Sequence, residues 1–163
     1  MKKFVPVLFL TVIMLGVLSL FVSQSSFAAK SEKAQGPHQK TTGEFLAYVG
    51  VETIEMRVSA HDTNPAKGHV YYSYSGGRSF EGVVTDYLQV GNKSVFVGEV
   101  TSSMGFPINQ AYFKVWTYDA GEGEMMTEPD KFRVVLYTTP QDATGAVTNT
   151  YGASVAEGNI QVH

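Results

Sequence analysis

The sequence predicts an all-β fold: a single antiparallel barrel of about eight strands, with a two-sheet β-sandwich as the alternative. Apolar and polar residues alternate in short runs, as they do in strands that bury one face. Turn residues separate these runs at hairpin spacing, and no run has the period of an amphipathic helix. Sixteen glycines and nine tyrosines also fit a protein of strands and tight turns.

Residues 1–28 predict a secretory signal peptide ahead of the barrel. Two lysines precede an almost unbroken apolar run from Phe4 to Val22, and Ser26-Phe27-Ala28 places small residues where a signal peptidase cleaves. A retained anchor is the alternative, because the run is about long enough to span a bilayer. The serines before the site favour cleavage at Ala28 or Ala29. We therefore expect a secreted protein, extracellular or held in the cell wall.

The composition of the mature chain limits its partners. Loss of the two signal lysines leaves 10 basic against 15 acidic residues, a formal charge of −5. Nucleic acids and anionic membrane surfaces both require clustered lysine and arginine, so neither is expected as a partner. After signal cleavage no membrane is expected as a partner. The chain has no cysteine, so the core alone must stabilise the fold, without disulfides.

The first half of the domain contains five predicted strands. Residues 29–42 are polar and predict a disordered lead-in, so the barrel domain is expected over residues 43–163. Between residues 54 and 60 every second residue is apolar or small, which indicates a half-buried strand. Turn residues end each run, including the pairs Gly76-Gly77 and Gly91-Asn92. The predicted strands are Glu44–Val49, Ile54–Ala60, Val70–Tyr74, Gly82–Val90 and Ser94–Val100.

Three further strands complete the predicted barrel. Residues 111–118 and 131–137 both alternate, and residues 159–162 close the chain with Ile160 and Val162 on one face. Residues 145–158 are small and predict either a loop across the barrel end or a short helix near Ser154–Glu157. Pairing of the last strand with the first would close the barrel. An eight-stranded barrel is then either filled by side chains or holds one small ligand.

From about Thr53 to His163 the chain resembles a group of small secreted bacterial β-barrel proteins of uncharacterised function. The shared features are a run like residues 68–72, a strand–turn–strand like residues 82–97, an acidic loop like residues 119–123, and the closing hexapeptide Gly158-Asn159-Ile160-Gln161-Val162-His163. The resemblance implies an extracellular barrel and transfers no catalytic residues. Where the group often has Asp-Asn-Gly, this chain has Asp119-Ala120-Gly121.

An acidic loop supplies a candidate metal site. Hard cations such as Ca²⁺ bind several carboxylate and carbonyl oxygens on a flexible backbone, and glycines would let carbonyls turn inward. A solvated hairpin loop is the alternative, with Asp119 or Asp130 bonding backbone amides at the turn. The candidate ligands are Asp119, Glu122, Glu124, Glu128 and Asp130.

Aromatic side chains form a candidate ligand-binding face. Rigid rings on neighbouring strands can line a groove for a sugar or a protein, whereas cross-strand pairing of the same rings would only stabilise the sheet. The candidate binding residues are Tyr112, Trp116, Tyr118 and Tyr137, with Tyr71 and Tyr87 in the wider set.

Other constellations are weaker. His61 and His69 flank a turn, and Asp62 would be a third zinc ligand, but ordinary strand and turn residues are the better interpretation. His163 could chelate a metal together with the terminal carboxylate. No nucleophile motif is present. Glu81, Asp86 and Glu99 could converge as the carboxylates of a hydrolase. However, Glu81 and Asp86 are an odd number of positions apart, which predicts that their side chains point to different faces of the strand.

Three functions follow from these features. The first is a non-enzymatic secreted barrel that binds a cell-envelope component, a small ligand in its mouth, or a protein. The second is an extracellular hydrolase with a carboxylate site assembled in space. The third is a structural or matrix protein that assembles through edge strands.

The acidic loop generates a test. If it binds Ca²⁺ weakly, calcium added to the protein changes the fluorescence of Trp116, which precedes the loop by three residues, and raises the melting temperature. An unchanged spectrum and melting temperature up to millimolar calcium would contradict calcium binding.

Overall fold

The structure is a computed structural model that describes residues 38–121, 128–143 and 152–163. Its eight strands form one closed antiparallel barrel, and each strand pairs with its neighbours in chain order. The barrel prediction is confirmed, and the sandwich alternative is wrong. The described residues contain no helix. The strands are β1 (Lys40–Val49), β2 (Glu52–His61), β3 (Lys67–Tyr74), β4 (Arg78–Val90), β5 (Lys93–Met104), β6 (Tyr112–Tyr118), β7 (Lys131–Tyr137) and β8 (Ala153–Val162).

The last strand closes the barrel as expected, but it is longer than the sequence predicts. β8 pairs with β1 from Thr41↔Val162 to Ala47↔Val155, with a bulge next to Leu46. The short helix predicted near Ser154 is therefore wrong, because these small residues pair with strands on both sides. β1 itself begins at Lys40, inside the stretch predicted as lead-in. The predicted signal peptide lies outside the described residues.

Inward-facing side chains fill the middle of the barrel. Phe45, Phe96, Phe113, Phe132 and Ile160 are buried and come from five different strands. They follow the alternation visible in the sequence, because successive residues of a strand point to opposite faces. Aromatic pairs such as Phe45–Phe132, with ring centroids 4.8 Å apart, bridge the interior. The part of the barrel that the structure describes is thus packed rather than hollow at its centre.

A bulge in β4 changes which face its residues present. The register against β5 shifts between Val84 and Asp86, so Thr85 is the extra residue. Phe80 and Tyr87 both face the core, a spacing that an uninterrupted strand cannot give. Asp86 consequently lies on the outer face together with Glu81. The parity-based prediction that these two carboxylates point to different faces is wrong.

The two ends of the barrel differ. The closed end carries the β4–β5 hairpin at Gly91-Asn92, and the open end carries the β1–β2 hairpin at residues 50–51. Near the closed end, hydroxyl groups cross the interior: Thr41 lies 3.0 Å from the Tyr87 hydroxyl and 2.6 Å from Ser94, which is 2.6 Å from Thr117. Burial raises the pKa of Tyr87 to about 12. These hydroxyl groups are buried and hydrogen-bonded to one another.

The packing of Phe113 generates a stability prediction. A Cβ at Gly98 would overlap the carbonyl oxygen of Val83 and lie 2.5 Å from Cζ of Phe113. Gly98→Ala should lower the free energy of unfolding by about 1–3 kcal/mol, as overpacking does. Gly76→Ala is the matched control: its Cβ would lie 3.1 Å from the flexible end of Glu52 and at ordinary contact distance from Tyr74, so a change within about 0.5 kcal/mol is expected. Urea denaturation measures both, and equal effects would contradict the packing argument.

Candidate functional site

The structure brings the four predicted binding aromatics onto one face. Tyr112 pairs with Tyr137 across β6 and β7, and Trp116 and Tyr118 lie on the same outer face of β6. Trp116 is only 7% exposed, however, so little of its ring is open to a ligand. From the wider set, Tyr87 lies in the core instead. Binding at this face stays a prediction.

Cations flank the rings of this outer face. The Lys114 ammonium, on the same strand as Trp116, and the Arg133 guanidinium, on the paired residue of β7, each lie 5.3 Å from the centre of the Trp116 ring. Tyr118 has Lys93 and Lys131 at 5.7 Å from its ring centre. Such cation–π contacts and cross-strand pairs stabilise a sheet without any ligand.

The chain that follows β7 also contacts this outer wall. The Lys114 ammonium donates to the Asp142 carbonyl at 3.0 Å. The backbone N–H of Ala143, which is buried, donates to Asp86 Oδ2 at 3.0 Å. Asp86 Oδ1 accepts the N–H of Tyr87 at 3.0 Å, so this carboxylate holds backbone groups in place. Part of the outer wall is therefore covered by the protein's own chain.

Two predicted metal ligands instead hold the last strand. Asp130 Oδ2 accepts the N–H of Ile160 at 2.7 Å, and Asp119 Oδ2 accepts the N–H of Val162 at 2.9 Å. The other oxygen of each carboxylate accepts a loop amide, from Ala120 and Gly121 respectively. Regular pairing between β7 and β8 covers only two residue pairs. The carboxylates thus accept amides of β8 beyond the end of the β7 ladder.

The remaining predicted metal ligands do not complete a cation site. Glu128 accepts the Tyr118 hydroxyl at 3.0 Å and pairs with Lys131, and these contacts hold its pKa below the ordinary value. Glu122 and Glu124 lie outside the described residues. Within the described ranges no three histidine or acidic side chains come together as a metal site would require. Calcium binding by the acidic loop stays a prediction.

The histidines have local partners. Nε2 of His61 lies 3.0 Å from the Ser59 hydroxyl, on the outer face where Ser59 pairs with His69. Two histidines and a serine make no zinc site on their own. His163 pairs with Lys40 through both backbone hydrogen bonds, which holds the chain end on β1.

A cleft at the open end is a candidate ligand site. Its volume is about 630 Å³, within the range of roughly 300–1,000 Å³ typical of small-molecule pockets. Barrel mouths are a common position for such pockets. The lining comes from β3, β4, β7 and the β5–β6 loop: Tyr72, Arg78, Phe80, Gly105, Phe106, Pro107, Gln110, Val134, Val135 and Leu136.

The β5–β6 loop shapes this cleft. Gly105 has a φ of +73°, and a Cβ there would lie 2.9 Å from the Gly77 carbonyl oxygen, so the loop packs closely against the β3–β4 hairpin. Phe106 then reaches the interior aromatics, with its ring centre 6.1 Å from Phe80 and 6.5 Å from Tyr72. Tyr72 and Phe80 stack at 5.4 Å. The cleft therefore has an aromatic wall.

Three polar side chains line the cleft. Burial raises the pKa of Tyr72 to about 12, so its hydroxyl stays protonated and can donate. The ion pairs found within the described residues do not include Arg78. Gln110 adds a carboxamide. All three can donate hydrogen bonds, which suits a ligand group rich in acceptors.

A second groove, of about 430 Å³, crosses β1 to β5. Its arginine, Arg57, already lies 3.3 Å from Glu44 and 2.5 Å from Glu55, and stacks 5.2 Å from the Tyr71 ring centre. Its charge is therefore largely compensated, unlike that of Arg78 in the open-end cleft.

The sequence did not reveal the open-end cleft. Its walls come from the interior faces of distant strands and from a loop, and their meeting depends on barrel closure. The sequence feature that could have indicated the cleft is the apolar triplet Gly105-Phe106-Pro107, because an aromatic residue in a turn between two strands is expected to pack its ring against neighbouring residues.

The fold and this cleft define an antiparallel eight-stranded barrel with a ligand-sized opening at one mouth. Comparison with protein-family models, curated proteins and solved structures gives no match for this chain. Among the described residues, no helix has the length and apolar character needed to cross a membrane. The resemblance to small secreted bacterial proteins stays a prediction.

The carboxylate contacts to β8 generate a prediction. Asp130→Asn replaces one acceptor oxygen by an amide donor that faces a backbone N–H. It should lower the free energy of unfolding by about 1.5–3 kcal/mol, the range for hydrogen bonds to charged groups. Glu128→Gln is the control, and its exposed side chain should leave the unfolding midpoint close to wild type. Urea denaturation measures both; a wild-type midpoint for Asp130→Asn would show that the contact does not hold β8.

Proposed function

We propose that this protein is an exported, non-enzymatic binding module that holds a small amphipathic ligand in the open-end cleft. The observation that carries the proposal is the cleft itself, a ligand-sized opening with apolar walls and a few polar groups. Export is supported by the signal-peptide pattern of residues 1–28.

The apolar part of the ligand would occupy the aromatic wall. The rings of Phe80 and Phe106 pack edge to face, and Val134 and Leu136 line the β7 side of the cleft. Flat or chain-like hydrocarbon gains most from such walls, because removal of apolar surface from water is the main driving force. Aromatic edges and faces also favour stacking with a ring.

The polar part would be an anionic or acceptor-rich head group. Arg78 stands at the start of β4, at the rim of the cleft, and its planar guanidinium can bind a carboxylate, sulfate or phosphate through two hydrogen bonds. The Tyr72 hydroxyl and the Gln110 carboxamide add donors. A negatively charged head above an apolar body matches this arrangement.

Binding is favoured over hydrolysis by the lining of the cleft. None of its described lining residues is acidic or a histidine, so no lining side chain offers general acid–base catalysis by such a group. Asp86, one of the carboxylates considered for hydrolysis, accepts two backbone amides instead. The hydrolase alternative finds no corresponding support in the cleft.

A pair of fluorescent probes tests the proposal. Phenylnaphthylamine is neutral, and anilinonaphthalene sulfonate carries the same rings with a sulfonate. Phe106→Ala should weaken binding of both probes by roughly tenfold, because both lose the aromatic wall. Arg78→Gln should weaken only the sulfonate, also by roughly tenfold, through loss of a charge-assisted contact.

Arg57→Gln is the matched control, since it removes an arginine from the outer groove, and both affinities should stay at wild-type values. Fluorescence titration gives the dissociation constants. The proposed site would be contradicted if neither probe bound the wild type. It would also be contradicted if Phe106→Ala and Arg57→Gln lost the same affinity for the probes.

A further inference from the structure

Among the residues that the structure describes, large apolar side chains are exposed mainly at the open end. Val51 and Ile108 are almost completely exposed, and each occupies the tip of a connection at that end. Scattered single apolar residues on a surface are normal, but a concentration at one end of a small barrel marks an interaction site. The apolar rim consists of Tyr48, Val49, Val51, Met104 and Ile108, whereas Val90 is at the closed end.

The apolar rim has two separate sides. Val51 lies between β1 and β2, and Ile108 lies between β5 and β6, which is half-way round the eight-stranded order. A protein partner of ordinary interface type requires one continuous, closely packed patch. A fluid apolar surface instead accepts two separate insertion points, because it adapts to their spacing.

Charges are distributed in a way that suits a lipid surface. The three short connections at the open end, residues 50–51, 75–77 and 105–111, contain no charged residue. Arg78 borders them and would face lipid phosphates, although Glu52 lies at the same rim, Glu157 accepts the Tyr48 hydroxyl, and the longer connection after β7 contains Asp142. The acidic side chains Asp119 and Asp130 are at the opposite end, away from anionic head groups.

We propose that the open end docks on a lipid bilayer, with Val51 and Ile108 inserted among the lipids. The net negative charge predicts no electrostatic attachment to anionic membranes, but apolar insertion does not depend on net charge. The inference stands on the rim alone and does not require the cleft to bind a ligand. If both hold, the cleft opens toward the lipid, from which an amphiphile could enter it.

Vesicle flotation tests the proposal. All strands of the barrel lie within residues 40–162, so the experiment uses the chain without the predicted signal peptide, whose apolar run would itself bind lipid. Phosphatidylcholine vesicles, with and without phosphatidylglycerol, are mixed with protein at low and high salt. Wild type should float with both vesicle types, with little effect of salt.

Val51→Asn and Ile108→Asn should each weaken vesicle binding about tenfold, because each removes one inserted apolar side chain. Val90→Asn is the matched control at the closed end and should bind as wild type.

Three outcomes would overturn docking. The first is that the wild type does not float with vesicles. The second is that Val90→Asn and Val51→Asn lose vesicle binding equally. The third is that the protein forms concentration-dependent oligomers that Val51→Asn disrupts, which would assign the rim to a second copy of the chain. Titration of phenylnaphthylamine without vesicles reports on the cleft separately, so failure of docking and failure of the proposed ligand site can be told apart.

Discussion

The position of β8 is the constraint on which the rest of the structure depends. On one side it forms a ladder with β1, and on the other the β7 ladder ends after two residue pairs. Asp119 and Asp130 then accept the amides of Val162 and Ile160 in place of strand carbonyls. Without these contacts, polar backbone groups next to the core would lack partners, at a cost comparable to a lost hydrogen bond each. Asp119 and Asp130, two of the candidate cation ligands of the acidic loop, thus take part in barrel closure.

Closure in turn divides the interior into two ends with different chemistry. At the closed end, hydroxyl groups satisfy one another across the barrel from Thr41 to Thr117. At the open end, aromatic rings converge from β3, β4 and the β5–β6 loop, and Phe106 enters from outside the strands. The open end combines apolar surface, a cleft and side chains that can donate hydrogen bonds, which is why the ligand site is proposed there.

Local patterns predicted the barrel because strand alternation is a property of neighbouring residues. The same reasoning failed where a distant partner decides the outcome. Small residues near Ser154 carry no strand signal of their own, yet they form a strand because they pair with β1 and β7. The bulge at Thr85 leaves no local signature and reverses the face of Asp86. The cleft was not predictable, since its walls meet only after closure, and the predicted aromatic face includes a Trp116 that the fold buries.

The apolar rim is not a requirement of the fold, as a comparison of two hairpins shows. Both have two-residue turns that begin with glycine at positive φ, Gly50 at 65° and Gly91 at 60°, followed by a residue at negative φ. This is the signature of a turn with glycine at the first central position. The closed-end hairpin places Asn92 second, a residue that turns favour, whereas the open-end hairpin places Val51 there. Because the backbone demands are alike and Val51 is fully exposed, folding does not account for the valine. An exposed valine at this turn supports the proposed docking on lipid, at the same end as the cleft.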